Sequence, residues 1–334
     1  MAKTRRVSGT VAVGAVLAVT PACSSQQSTL DPASDSAGRI ADLWWVMLVG
    51  SAVVFAVVTA LVLVAVLRRR GAHAEPGRAS RLGDPLIAIG GVGIPAVVLV
   101  SLFVLTVRTL PVTSAPAPGA TRLRIEVTGR QWFWEVRYPG RNVVTANELV
   151  IPVDVPVEVR VSTQDVIHSF WVPRLNRKID LIPGHASSVL LRAEKPGVYR
   201  GQCAEFCGLQ HANMAFLVVA QPPERFRAWL ARERRPAGRP RTPALERGRR
   251  VFFRSACAGC HRIAGTAARG DAGPDLTHLG ARRTIAAGTL ENTERDLRRW
   301  ILDPQRFKPG SKMPGLEVPG DDLRALVAYL RSLE

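Results

Sequence analysis

Sulfur-containing and acidic residues are both scarce in this sequence. Its 334 residues include five cysteines and four methionines, few enough that each can be accounted for singly. Acidic residues number 27 against 45 lysines and arginines, an unusual balance for a soluble enzyme with 47% hydrophobic residues. That apolar content excludes intrinsic disorder. The basic residues are not gathered on one motif, so nucleic acid is not expected as a partner.

The first residues have the pattern of a secretory signal peptide. Lys3, Arg5 and Arg6 precede an apolar run at residues 7–19, which is too short to span a bilayer. Small residues follow, up to Cys23. We therefore expect a signal peptide at residues 1–22. Cys23 is a candidate for lipid attachment, with ordinary cleavage or an uncleaved anchor as the alternatives.

Two uncharged stretches follow, at about residues 43–67 and 86–107, and each is long enough to cross a membrane. Trp44 and Trp45 lie at the start of the first stretch, where aromatic belts are usual. An arginine-rich loop separates the two, and short loops of this kind stay in the cytoplasm. The sequence thus predicts a transmembrane hairpin within residues 40–110, with everything that follows it outside the cytoplasm.

Residues 120–221 change to the two-residue period of β-strands. Leu123, Ile125 and Val127 alternate with charged residues, and valines recur at every second position over residues 155–161. Proline–glycine pairs separate these runs. Several short alternating strands bounded by turns predict an antiparallel sandwich or barrel.

One short string in this β domain carries a metal-ligand pattern. Cys203, Cys207, His211 and Met214 lie within twelve residues, and sulfur with imidazole is a donor set that selects copper. The second cysteine suggests two metals that share two thiolates, and His168 is the candidate for a second imidazole. The alternative is a disulfide between the two cysteines of an exported protein.

The C-terminal part carries a second redox motif. Residues 222–241 are rich in arginine and proline and are expected to form a solvated linker, with a short helix around Phe226 to Leu230. Residues 242–334 contain Cys257-Ala-Gly-Cys260-His261, the attachment signature of c-type haem. By elimination among the methionines, Met313 is the second axial ligand, and His278 is interpreted as a surface histidine. A thioredoxin-like pair is the weaker alternative, because no βαβ pattern surrounds the motif.

Together these strings resemble subunit II of cytochrome c oxidase fused to a cytochrome c domain, as in caa-type haem–copper oxidases. The matching strings are Gln131-Trp-Phe-Trp134, Asp165-Val-Ile-His-Ser-Phe-Trp-Val-Pro173, Lys178-Ile-Asp-Leu-Ile-Pro-Gly184, the copper-ligand string at 201–214, and the stretch at 283–314. The resemblance implies a multidomain fold: a two-helix transmembrane hairpin, an all-β cupredoxin-like Greek-key barrel, and an all-α class I cytochrome c domain.

The resemblance also implies roles for individual residues. Trp132 matches the aromatic residue at which electrons enter, and Pro274 matches the proline whose carbonyl holds the axial histidine. Glu205 would give its backbone carbonyl to copper and its carboxylate to a magnesium or manganese ion at the subunit boundary. The dinuclear copper centre (CuA) would be bound by the side chains of His168, Cys203, Cys207, His211 and Met214, and haem c by Cys257, Cys260, His261 and Met313.

The function implied is that of the electron-accepting subunit of a proton-translocating oxidase in a bacterial plasma membrane. The expected partners are the haem–copper catalytic subunit I, subunit III, and a cytochrome c or quinol:cytochrome c reductase as donor. No catalytic residue for oxygen chemistry is expected in this chain. Two alternatives remain open from the residues: the copper-relay subunit of a nitric oxide reductase, and a copper-delivery protein.

Overall fold

The computed structural model of the chain describes residues 27–69, 83–114, 121 and 123–334. The signal peptide predicted at 1–22, Cys23 and most of the basic loop lie outside the described residues. The described part contains an apolar helical hairpin, a β-sandwich and a small helical domain, in that order along the chain. This is the multidomain fold that the sequence predicts.

The hairpin consists of α1 (Asp35–Arg69) and a second helical segment built from α2 (Gly83–Ala88), a π-helical turn (Ile89–Gly93) and α3 (Ile94–Thr113). Two stretches, Asp35–Arg68 and Ile89–Pro111, are long and apolar enough to cross a membrane. The π-helical turn contains the glycines that interrupt the second predicted span.

Both ends of the hairpin contact the β-sandwich. Ala33, just before α1, donates its backbone N–H to the carbonyl of Arg174 at 2.8 Å. Arg177 donates from Nε to the carbonyl of Thr113, at the end of α3, at 3.1 Å. The sandwich therefore lies at the open end of the hairpin, on one side of any membrane that the hairpin spans.

The sandwich is built from ten strands: β1 Leu123–Arg130, β2 Phe133–Tyr138, β3 Val143–Ala146, β4 Glu148–Pro152, β5 Val157–Thr163, β6 His168–Trp171, β7 Ile179–Leu181, β8 Ser187–Leu191, β9 Gly197–Cys203 and β10 Ala215–Gln221. They form two five-stranded sheets, of order β3-β2-β1-β5-β8 and β4-β10-β9-β6-β7. The pairs β1–β5 and β4–β10 are parallel, so the pairing is mixed where the sequence predicts an antiparallel sandwich. The reason is that the chain crosses between sheets before it returns to β1 and β4.

The core of the sandwich is formed by the residues that alternate in the sequence. In β1, Leu123, Ile125 and Val127 are buried. Three aromatic rings, those of Trp134, Phe170 and Phe216, contact one another with centroids 4.5–5.9 Å apart. Trp134 of this cluster also lies near the ring of His168, with centroids 6.0 Å apart. The cluster therefore packs against the ends of β6 and β9 that carry His168 and Cys203.

The predicted linker at 222–241 is largely ordered, which corrects the expectation of a solvated segment. Helix α4 (Pro223–Glu233) occupies its first half. Phe226, Trp229 and Leu230 of α4 are buried in the core of the β domain. Their spacing of three and four places them on one helical face, which the arginine-rich composition obscures.

The C-terminal domain is helical, as the sequence predicts, with α5 Pro243–Arg254, α6 Cys257–Cys260, α7 Glu294–Leu302, α8 Gly320–Arg331 and a small hairpin of β11 Thr284–Ile285 and β12 Leu290–Glu291. Thr242 caps α5 by accepting from the N–H of Leu245 at 3.2 Å. Helices α5 and α8 pack closely because Gly248 has no side chain: a Cβ there would lie 2.0 Å from the carbonyl oxygen of Ala325.

Candidate copper and haem sites

Two thiols and an imidazole meet at one end of the β-sandwich. His168, Cys203 and Cys207 are buried, and their ligand atoms all lie within 4.8 Å of one another. The sulfur atoms of the two cysteines are 3.7 Å apart, far longer than the ~2.05 Å of a disulfide. Both cysteines are free, so the disulfide alternative is wrong for this structure.

The remaining two predicted side-chain ligands lie beside Cys207. Its Sγ is 3.8 Å from Nδ1 of His211 and 3.8 Å from Sδ of Met214. The loop that carries them is closed by the N–H of Cys203, which donates to the carbonyl of Met214 at 2.9 Å. All five predicted side chains are therefore in one place, and two sulfurs, two imidazoles and a thioether suit copper.

The ring of His168 is oriented by a residue that sequence reasoning did not single out. Asp165 Oδ1 lies 2.8 Å from Nε2 of His168, and Nδ1 of the same ring faces Cys203 Sγ at 3.8 Å. Burial would lower the pKa of His168, but hydrogen bonds to Cys203 and Asp165 raise it. A carboxylate that accepts from Nε2–H leaves Nδ1 free for a metal. The spacing of three residues between Asp165 and His168 was the available signal.

The two thiols are coupled to each other. The hydrogen bond from Cys207 lowers the pKa of Cys203, and the same contact, with burial, raises the pKa of Cys207. The contact therefore favours the thiolate at Cys203, and both cysteines would bind a metal as thiolates.

Glu205 contributes backbone rather than side chain to this cluster. Its carbonyl oxygen lies 3.2 Å from Cys203 Sγ. Its carboxylate is about half exposed and faces Lys178, with Oε2 and Nζ 3.9 Å apart. The carboxylate therefore lies on the surface next to the site.

Trp132 contacts the copper-ligand loop directly. Its indole Nε1 donates to the carbonyl of Cys207 at 2.9 Å. The amide side chain of Gln131 donates to the same carbonyl, also at 2.9 Å. The expected point of electron input is therefore one hydrogen bond away from a cysteine of the cluster.

A cavity of about 340 Å³ lies in the C-terminal domain, and Cys257, Cys260, His261 and Met313 line it. Nδ1 of His261 lies 2.8 Å from the carbonyl oxygen of Pro274, the contact that the sequence resemblance predicts. Burial lowers the pKa of His261, which favours the neutral ring. Its Nε2 is then free to bind iron.

Glycine at position 273 is required beside this histidine. A Cβ on Gly273 would lie 2.6 Å from Cε1 of His261. The glycine thus allows the backbone to approach the ring closely.

Two polar groups that line the cavity have no hydrogen-bond partner among the described residues. They are Nε of Arg282 and Oγ1 of Thr284, both buried. A haem carries two propionate carboxylates, which accept hydrogen bonds from such donors. The unpaired donors, the paired cysteines and the free histidine nitrogen together fit a covalently attached haem.

His278 is not a surface histidine, which corrects the expectation from the sequence. It is 3% exposed, and its Nε2 lies 3.2 Å from the carbonyl of Glu233 and 3.1 Å from that of Arg235. It does not line the haem cavity. Its role is to hold the end of α4 against the haem domain.

The haem cavity opens onto the copper-binding domain. Its lining includes Trp132, Phe133 and Asn147 of the β-sandwich. Across the same interface Ala215 donates its N–H to the carbonyl of Ala287 at 3.0 Å, and Glu148 Oε1 accepts from the N–H of Arg283 at 2.6 Å. The two candidate sites thus face each other within one chain.

Comparison with known proteins agrees with this arrangement. Residues 140–221 match the periplasmic domain of cytochrome c oxidase subunit II, and residues 245–334 match cytochrome c. Cytochrome c oxidase subunit 2 of Alkalihalophilus pseudofirmus is 36% identical over 92% of this chain and 91% of that protein. This chain belongs to the cytochrome c oxidase subunit 2 family.

Subunit 2 of Bacillus sp. (strain PS3) is 34% identical over 63% of this chain and 62% of that protein. A similar chain of known structure is the periplasmic domain of subunit II of cytochrome oxidase of Bradyrhizobium japonicum, which was solved by crystallography. It is 32% identical to this chain, the match covers 35% of this chain and 96% of that one, and the TM-score is 0.34.

As a member of this family with a fused cytochrome c domain, the present subunit 2 has a cupredoxin-like β domain, and its two domain types imply a CuA centre and a haem. With its two candidate membrane helices, it fits a membrane protein whose later domains are extracytoplasmic.

Proposed function

We propose that this subunit 2 accepts electrons at haem c and passes them through Trp132 to CuA and on to a haem–copper catalytic subunit that reduces oxygen to water with proton translocation. The observation that carries the proposal is the haem cavity's opening onto Trp132, whose indole donates to the carbonyl of Cys207. The residues assigned are Cys257 and Cys260 for covalent attachment, His261 and Met313 for the iron, and His168, Cys203, Cys207, His211, Met214 and the carbonyl of Glu205 for copper.

In this proposal, the residues of the chain hold the two sets of ligands in place, and neither set serves as a substrate site. When bound, the copper pair and the haem supply the one-electron redox change. Cys203 and His168 lie on paired strands, in which Phe170 is opposite Cys203, and both are buried. A rigid donor set limits the change in geometry between redox states, which suits a relay rather than a catalytic centre.

The surface around the copper ligands supports docking onto a catalytic subunit. Phe206 is 75% exposed although it stands between Glu205 and Cys207, and Ile167 next to His168 is also exposed. Exposed apolar side chains next to a buried redox site are expected where a partner covers them. The carboxylate of Glu205, in the same surface, is the proposed contribution of this chain to a magnesium or manganese ion at the boundary.

The proposed setting is a multi-pass protein of a bacterial plasma membrane, assembled with subunits I and III and supplied by a cytochrome c or a quinol:cytochrome c reductase. The hairpin contacts at Arg174 and Thr113 support this, because they hold the β domain at one membrane face.

The test is isolation of the intact membrane complex with its partner subunits. We expect two copper atoms and one covalent haem for each copy of this chain, together with oxygen uptake driven by reduced cytochrome c. A complex that consumes nitric oxide but not oxygen would favour the reductase alternative. A single, easily removed copper and no haem would favour copper delivery and would contradict the proposal.

A further inference from the structure

A lysine of the haem domain lies buried at the contact with the copper domain. Lys308 follows the turn after α7 and is 3% exposed. Its Nζ donates to the carbonyls of Trp132 at 2.9 Å and Asn213 at 2.8 Å, both in the copper domain. The third bond, to the carbonyl of Ala286 at 3.2 Å, stays within the haem domain. One side chain therefore joins the two domains.

The chemistry of these contacts specifies a charged ammonium. Three carbonyl oxygens can only accept, so three N–H donors are needed, and lysine has three only when it is protonated. No carboxylate of the described residues forms an ion pair with Lys308; the lysine ion pairs in this part of the chain are those of Lys178. Burial lowers the pKa of Lys308 to about 7, and the nearby Cys207 acts in the opposite direction. The three carbonyl acceptors favour the charged form, because the ammonium alone offers three donors.

The position of Lys308 couples the domain contact to the proposed electron path. It bonds the backbone of Trp132 itself, and it lines the haem cavity together with Met313. Asn213, its second partner, directly precedes the copper ligand Met214. Hydrogen bonds to a charged group are stronger than neutral ones, so this cluster of bonds is a strong point of the interface.

Other contacts hold the same face but do not reach Trp132. Gln210 donates from Nε2 to the carbonyl of Pro309 at 2.7 Å, and Arg130 donates to the carbonyl of Asp271 at 2.9 Å. These bonds also run from the copper domain to the haem domain. Lys308 differs from them because it bonds the backbone of Trp132 itself.

We infer that Lys308 is a positioning residue that holds the haem domain docked over Trp132 and so sets the rate of electron transfer between the two domains. The inference rests on the proposed function, because it assumes that electrons pass from the haem domain to the copper domain. The new element is that the ammonium of Lys308, bonded to three carbonyls, maintains the docked arrangement of the two domains.

The experiment compares the intact complex carrying Lys308→Met, Lys308→Arg or the control Lys195→Met with the wild type. Lys195 is exposed, and its carbonyl accepts from the hydroxyl of Tyr199 within the copper domain. Hydrogen exchange is measured at the segments containing the N–H groups of Ala215 and Arg283, which are bonded across the interface. Intramolecular transfer is followed optically after rapid reduction of the haem.

For Lys308→Met we expect exchange at both segments to rise by about tenfold or more, and transfer to slow, with copper and haem still bound. Lys308→Arg should show exchange and transfer rates between those of Lys308→Met and the wild type. A planar guanidinium cannot donate to three converging carbonyls as an ammonium does. Lys195→Met should behave as wild type.

The outcomes separate the two proposals. Absence of transfer from haem to copper in the wild type would overturn the proposed function itself. Transfer in the wild type with unchanged exchange and rate in Lys308→Met would overturn the role of Lys308 alone. Slower transfer without faster exchange, or loss of copper or haem from Lys308→Met, would also contradict a positioning role.

Discussion

Replacing Asp165 by asparagine is expected to weaken copper binding through the tautomer of His168. Asp165 Oδ1 lies 2.8 Å from Nε2 of His168, and Oδ2 accepts from the N–H of Gln131 at 2.7 Å. Asparagine has one oxygen and one NH₂ group. If its oxygen stays on Gln131, the NH₂ faces Nε2, which must then accept, and the ring proton moves to Nδ1.

Nδ1 is the nitrogen that faces Cys203 Sγ at 3.8 Å, so the moved proton blocks a metal ligand. The opposite rotamer sets the NH₂ against the N–H of Gln131 and leaves a donor unpaired. Loss of a carboxylate behind a ligating histidine typically costs 10–100-fold in metal affinity, or about 1.4–2.7 kcal/mol. We therefore expect Asp165→Asn to lose copper to a competing chelator about 10–100 times more readily than wild type.

The assay is copper retention by the intact complex, measured by elemental analysis and by the visible bands of the mixed-valence pair during titration with the chelator. Asp154→Asn is the matched control, since Asp154 is exposed and its carboxylate pairs with Arg192, at 3.4 Å, on the surface. Equal copper retention in the Asp165 and Asp154 variants would refute the reasoning, because it would mean that the carboxylate does not fix the histidine.

Two further changes test the haem domain and its docking. Met313→Ala should leave haem covalently attached through Cys257 and Cys260 but lower the reduction potential of the haem, because a thioether axial ligand raises that potential. An unchanged potential in a redox titration would exclude Met313 as the axial ligand. Glu148→Ala leaves the N–H groups of Arg283 and Thr284 without their acceptor, which should destabilise the docked state by about 1–3 kcal/mol. Glu148→Gln keeps an acceptor oxygen and should lose less, as hydrogen exchange across the interface would report.

Local patterns were enough to predict the architecture and to assemble the candidate ligands. Alternation in the strands predicted the β-sandwich, and a twelve-residue string already contained four of the five copper-ligand side chains. His168 is distant in sequence, but it begins a strand that pairs with the strand of Cys203. The residue assignments of the copper and haem sites remain predictions, although the structure brings each set together.

Contacts between distant segments could not be read from composition. The arginine-rich stretch at 222–241 suggested a linker, yet three apolar residues of α4 complete the core of the copper domain. The local sequence predicts a surface residue at His278, because nothing near it in the chain shows that the end of α4 covers it. Lys308 carries no motif of its own; its meaning depends on three carbonyls from separate segments.

Time-resolved reduction of the intact complex tests most directly that the chain holds two redox centres in series. With reduced cytochrome c as donor, haem c should be reduced first, and its reoxidation should match, electron for electron, the bleaching of the copper bands. Reduction of copper ahead of the haem, or copper bands that change while haem c stays oxidised throughout, would contradict the account.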